Sequence, residues 1–225
     1  MKTLKILPLI LLLGQLSSPV VGQERPPIID MHLHADLPPY EIERGAPALC
    51  RPEPCKGEGQ ATANHNETLI KTLEIMDRNN IVMAHLSGRD PRIIAKWVQA
   101  APNRFIAAPF LLQPGQPTVE DIRQNHAAGL YTGMGEIATQ LKGIAPNDPK
   151  LESYFALAEE LDMPTLIHTA GIGPYLPGFR SAAGSPLLLE GVLVRHPNLR
   201  LFLENSGYPY LDDMIAMMYQ YPQLY

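Results

Sequence analysis

Cysteine is almost missing from this chain: Cys50 and Cys55, in "CRPEPC", are the only two. Neither has a second Cys or His pair beside it at finger spacing, which argues against a structural zinc module. Basic charge is not in excess. A formal net charge of −5 gives no electrostatic reason to expect nucleic acid or an anionic membrane as partner. Apolar runs long enough to span a bilayer are lacking too, since the N-terminal one has a core of only Ile6 to Leu13. The apolar fraction of 45% is ordinary for one soluble globular domain.

The N-terminus is set apart. "MKTLKILPLILLLGQLSSPVVGQ" places Lys2 and Lys5 before the apolar core and small residues after it. This is the layout of a secretory signal peptide over 1–22, with Val20 and Gly22 at the small positions before a cut. No cysteine follows for lipid attachment, so no stable membrane anchor is expected after processing. The mature protein, 23–225, is then periplasmic or secreted, the alternative being an uncleaved anchor helix. In an oxidising compartment Cys50 and Cys55 are expected to close a small disulfide loop, with two free thiols as the other reading.

Beyond a polar, Pro-rich stretch to about Ala63, short apolar runs alternate with amphipathic ones. Strands are expected near 28, 81, 105, 131, 165 and 200, each followed by a helix. Two helix starts are well marked: Asp90 before Pro91, and Thr118 with Asp121 three residues on. Helices also follow from "DPKLESYFALAEELD", "SPLLLEGVLVRHP" and "PYLDDMIAMMYQYP", the last with a Met-rich stripe read as core. Crossovers long enough to carry a helix imply parallel strands. That leaves an open doubly wound sheet or a (β/α)8 TIM-type barrel. The first βα turn lacks a Gly-rich phosphate loop. His34, Glu136, His168 and Asn205 all fall at strand C-terminal ends, where a barrel gathers its active site. The barrel is therefore the expectation, stopping after about six βα units. A typical barrel needs roughly 250 residues, more than this chain supplies, and "PQLY" reads as the opening of a seventh strand. On that reading the domain is C-terminally incomplete and the 225-residue chain is inactive by itself.

The chemistry is concentrated in "IIDMHLHAD". On a strand, residues two apart share a face, so Asp30, His32 and His34 point one way. Two imidazoles about 7 Å apart along one face are natural partners for a metal ion; the alternative is a pair of hydrogen-bonded interior histidines. Glu136, in "GMGEIA", is a carboxylate in an apolar strand and needs a cation, unless it faces solvent or pairs with a loop arginine. Asp30, one layer deeper, is a candidate for orienting an imidazole. His85 either lines the mouth or is packed, while His65, His126 and His196 read as surface or cap residues.

In that order, "DMHLH", "GEIA", "LIHTAG" and "LENSGYP" resemble the metal-dependent amidohydrolase superfamily. The closest branch is the amidohydrolase-related one, which also holds the aminocarboxymuconate-semialdehyde decarboxylase type. The resemblance implies that His32 and His34 bind a divalent metal, usually zinc, and that His168 binds it or a second ion. It implies a ligating or bridging role for Glu136. Asn205 stands where the family has a histidine, which puts the second metal position in doubt and leaves Asn205 to hydrogen-bond substrate. The family's strand 8 aspartate has no counterpart within the chain. The expected activity is hydrolysis of a C–N or C–O bond of a small substrate. Non-oxidative decarboxylation on the same site, or a non-catalytic barrel-fold binding protein, are the alternatives. A homo-oligomer is left open.

Overall fold

The computed structural model describes residues 26–35, 65–170 and 178–225. Residues 1–22, expected to be a leader, and the expected Cys50–Cys55 disulfide lie outside the described residues. Within them the order is β1 (Ile28–His34), α1 (His65–Arg78), β2 (Ile81–Gly88), α2 (Pro91–Ala100), β3 (Phe105–Pro109) and α3 (Val119–Ala127). Then come β4 (Met134–Ile137), α4 (Glu152–Glu160), β5 (Thr165–His168), α5 (Glu190–Arg195), β6 (Leu201–Glu204) and α6 (Leu211–Gln220). Each expected strand and helix is present. Asp90 caps α2 by accepting from the Arg92 N–H, and Thr118 with Asp121 forms a reciprocal capping box on α3. The "SPLLLEGVLVRHP" and "DPKLESYFALAEELD" helices begin as 3-10 turns, Pro186–Leu189 and Pro149–Leu151, before becoming α5 and α4. Such tightened first turns are common at helix ends.

The strands are parallel and stand in sequence order. β1, β2 and β3 form one ladder and β4, β5 and β6 another. Backbone bonds join the two, from Leu111 N–H to the Glu136 carbonyl and from Ala138 N–H to the Leu111 carbonyl, each 2.8 Å. Beyond β6, Tyr225 N–H donates to the Leu201 carbonyl at 2.8 Å and Leu203 N–H to the Tyr225 carbonyl at 2.9 Å. "PQLY" thus adds a parallel bridge, Leu224 to Leu201, on the outer side of β6. A doubly wound sheet reverses its strand order at a switch point; this one does not. In a flat sheet five spacings of roughly 4.8 Å would set β1 and β6 about 24 Å apart. Here His32 Nε2 of β1 lies 3.5 Å from Glu204 Oε2 of β6. Only a sheet curled into a barrel allows that.

Outward-facing Ala84, Leu86, Phe105, Ala107, Ile137, Ile167 and Leu201 pack with Trp97, Ile122 and Phe155 from the helices in one buried cluster. The Met-rich stripe of α6 departs from expectation. Met217 is buried, but Ile215 and Met218 are 56% and 41% exposed, although α6 packs against the 3-10 turns Pro186–Leu189 and Asn205–Gly207. β1 is similarly bare: Ile28 and Ile29 are exposed, while Leu33 packs on the core.

His196, expected at a surface or cap, does cap α5 but is buried. Its Nδ1 lies 2.8 Å from Glu159 Oε2 and its Nε2 3.1 Å from Glu152 Oε1, while Arg195 pairs bidentately with Glu152. The Arg195 hydrogen bonds hold the Glu152 carboxyl below its usual range. Burial pushes the Glu159 carboxyl up, but the His196 and Asn198 hydrogen bonds outweigh it and leave it low. A depressed folded pKa gives stability that is complete above the unfolded value and lost as pH falls through the folded one. Melting temperature is therefore expected to drop as pH falls below about 4.5, and to drop less in E152Q/E159Q. Parallel profiles for the two proteins would refute the assignment.

Candidate metal centre

Four strand ends meet in one cluster. β1 brings His32 and His34, β4 brings Glu136, β5 brings His168 and β6 brings Glu204. The Nε2 atoms of His32 and His34 are 3.1 Å apart, and their rings meet edge to face with centroids at 5.0 Å. Glu136 Oε2 lies 3.2 Å from His34 Nε2 and 3.5 Å from His32 Nε2. Glu136 Oε1 lies 2.6 Å from His168 Nδ1. Glu136 is buried, whereas the side chains of His32 and His34 are each 36% exposed. The cluster thus has a buried anionic floor and an open side. His32, His34 and Glu136 have donor atoms all within 4.8 Å of one another, and so do Glu136, His168 and Glu204.

Local structure explains how these groups arrive. Gly135 has φ +90, and a Cβ there would sit 2.2 Å from the Leu166 carbonyl oxygen. Only glycine lets β4 lie this close to β5 and deliver Glu136 to the interior. Gly133 makes a comparable allowance, because a Cβ there would meet His85 Nε2 at 2.6 Å. His85 is fully buried with neither ring nitrogen hydrogen-bonded among the described residues. Burial pushes it down to about 3, so it is neutral packing beneath the site rather than a mouth residue. Ser87 Oγ lies 2.8 Å from His34 Nδ1. When Nδ1–H donates to that oxygen, Nε2 keeps its lone pair for a cation. Buried Gln140 donates from Nε2 to the His168 carbonyl, and Thr169 Oγ1 donates to the Glu204 carbonyl at 2.8 Å.

Asp30 and Asn205 make contacts that their spacing alone did not specify. Asp30 accepts from the His32 backbone N–H at 3.0 Å rather than reaching an imidazole. The irregular register of β1 between Asp30 and Leu33 allows this local turn-back. Asn205 is exposed, with Nδ2 3.0 Å from His168 Nδ1. The buried residue abreast of His168 in the β5–β6 register is Glu204. Sequence reasoning passed over it, although the signal was present: it is a carboxylate at the end of the apolar run "LFLE", the same argument that singled out Glu136. Ser87, one strand away from the histidine it serves, left no sequence signal.

The carboxyl pair carries most of the electrostatics. Burial pushes Glu136 up, but hydrogen bonds from His168, His32 and His34 outweigh it and hold it well below the carboxylate range. Burial first, and the Glu136 charge second, push Glu204 well above that range. Glu204 Oε2 is enclosed with no hydrogen-bond partner among the described residues. Imidazole and carboxylate donors converging around such an orphaned oxygen fit a divalent cation.

Two substitutions test this construction. Ser87→Ala is expected to weaken divalent-metal binding about 10- to 100-fold, and Ser87→Thr to retain it; isothermal titration with equal affinities in all three proteins would refute the role. Gly135→Ala is expected to cost more than about 2 kcal/mol, from backbone strain added to the carbonyl clash. A wild-type urea midpoint would refute that.

Comparison with solved structures agrees with the barrel. An uncharacterised TIM-barrel protein from Bordetella bronchiseptica superposes with a TM-score of 0.62 at 16% identity, over 88% of this chain and 73% of that one. A 4-oxalomesaconate hydratase from Rhodopseudomonas palustris gives 0.51 at 16%, over 87% and 66%. A 5-carboxyvanillate decarboxylase from Novosphingobium aromaticivorans, complexed with manganese and a nitrobenzoic acid, gives 0.51 at 15%, over 88% and 69%. A search of curated proteins finds no match. The amidohydrolase family profile matches residues 29–225, from within β1 to the last residue. With the match spanning every strand that contributes to the cluster, this chain belongs to the amidohydrolase family.

Proposed function

We propose that the protein is an exported, metal-dependent hydrolase that cleaves a C–N or C–O bond of a small substrate. The observation that carries this reading is the convergence of His32, His34 and Glu136 donor atoms on the open side of the barrel end. His32, His34, Glu136 and His168 would hold a divalent ion, zinc by preference of the His-rich set. Such an ion, when bound, supplies Lewis acidity and brings the pKa of water down toward 7. The leader sequence at 1–22 supports export.

The chain's own groups then have separable tasks. Glu136 stays anionic within its three histidines and neutralises cationic charge at the floor. Ser87 fixes the His34 ring. Asn205 stands exposed at the rim beside His168, where its amide can hydrogen-bond a substrate oxygen. Glu204, buried at the back of the cluster, can accept or return a proton as the leaving group departs. Decarboxylation is the second reading, and Glu204 favours it: a carboxyl that holds its proton can deliver it to the carbon left when the C–CO2 bond breaks.

His32→Ala combined with His34→Ala is expected to lose bound zinc and all hydrolysis of a panel of lactones, amides and esters, while the wild type loses both only on chelation. Elemental analysis and product chromatography read the two effects. Equal zinc in wild type and variant would overturn the metal reading. Release of CO2 from carboxylated aromatics, with no hydrolysis in the panel, would replace the hydrolase with the second reading.

A further inference from the structure

A cavity of about 640 Å3 lies over the ends of β2 and β3, which is the size of a small-molecule site. His32, His34, Glu136, His168 and Glu204 do not line it. Phe110 does, and its ring also meets the His34 ring, with centroids 5.6 Å apart. Arg89, another lining residue, lays its guanidinium over the same Phe110 ring, 4.9 Å from the centroid. Lys142, at the end of the 3-10 turn Thr139–Lys142, brings a second cation to the wall. Lys142 has no ion-pair partner among the described residues. The carboxylate on the wall, Asp121, is already engaged: its Oδ2 accepts from the Thr118 N–H at 2.9 Å and from the Thr118 hydroxyl at 2.6 Å.

The cavity is also held in shape. Pro91, Pro109 and Pro117 add stiff apolar surface that loses no side-chain freedom on binding. Gly115 and Pro117 are pinned from α4 by buried Tyr154, whose hydroxyl accepts from the Gly115 N–H at 2.6 Å and donates to the Pro117 carbonyl at 2.8 Å. A wall fixed beforehand leaves less ordering to oppose binding. We propose that this cavity is a second ligand site, separate from the metal cluster, which binds a small planar carboxylate. A guanidinium held flat against a ring presents its N–H fork edge-on, and that fork matches a carboxylate in two parallel hydrogen bonds. Lys142 adds a point charge, and the planar body lies against the prolines.

The test is titration of benzoate into the full chain after chelation, read by calorimetry, with neutral benzamide as control. One benzoate per chain is expected, bound more tightly than benzamide. Arg89→Met is expected to weaken benzoate about 10- to 100-fold, the range for losing a hydrogen bond to a charged group. Arg89→Lys, which keeps the charge without the fork, falls between, and Lys142→Met also weakens binding. Arg89 and Lys142 are exposed, so replacing them leaves the core packing intact. His32→Ala with His34→Ala is expected to bind benzoate as the wild type does. Equal affinity in wild type and Arg89→Met, or for benzoate and benzamide, would overturn the proposal. Loss of binding in the double histidine variant would place the carboxylate on the metal cluster and overturn it as well. No benzoate binding at all would remove this site and leave the metal reading untouched.

Discussion

The placement of the Glu136 carboxylate is the constraint on which the rest depends. It is buried at a strand end and touches imidazoles from two other strands, His32 and His34 on β1 and His168 on β5. An unpaired charge in that position would cost several kcal/mol, comparable to much of a domain's net stability. Each histidine is therefore needed to keep Glu136 tolerable, and Glu136 in turn holds the imidazole nitrogens converged. The glycines around it follow from the same demand, since Gly135 must yield its side chain for β4 to approach β5 closely enough.

The barrel curl makes that cluster geometrically available. Residues from β1 and β6 are separated by most of the chain and by four intervening strands, yet their side chains come within 3.5 Å. Parallel strands in sequence order place every C-terminal end on the same side, so polar residues at those ends accumulate without competing with the apolar packing further down. The helices fill the outside with Trp97, Ile122 and Phe155, while the inner surface at the mouth is left to histidines and carboxylates. Packing and chemistry thus occupy opposite faces of the same strands.

The chain spans 66 to 73% of the lengths of the three solved structures compared with it. Where the fold has no further element beside it among the described residues, apolar surface shows: Ile28 and Ile29 on β1, and Ile215 and Met218 on α6. The α6 stripe read as core in a periodic pattern because periodicity reports which face is apolar and not whether a neighbour covers it. His196 erred in the opposite direction. A histidine after a helix looks like a surface cap, but two glutamates from α4 close over it, and no local pattern predicts a contact between residues about forty apart.

Strand and helix order, the two N-caps and the pairing of His32 with His34 were legible in the sequence, because each depends on residues within one turn or one strand. The value of Glu136 was legible for a related reason: a carboxylate inside an apolar run is anomalous wherever the strand goes. Tertiary structure alone decided which side chains meet. It turned Asp30 onto a backbone N–H, set Ser87 behind His34, and put Glu204 rather than Asn205 abreast of His168. Those outcomes depend on strand register and barrel curvature, which arise from packing across the whole sheet and leave no mark on the spacing of neighbouring residues.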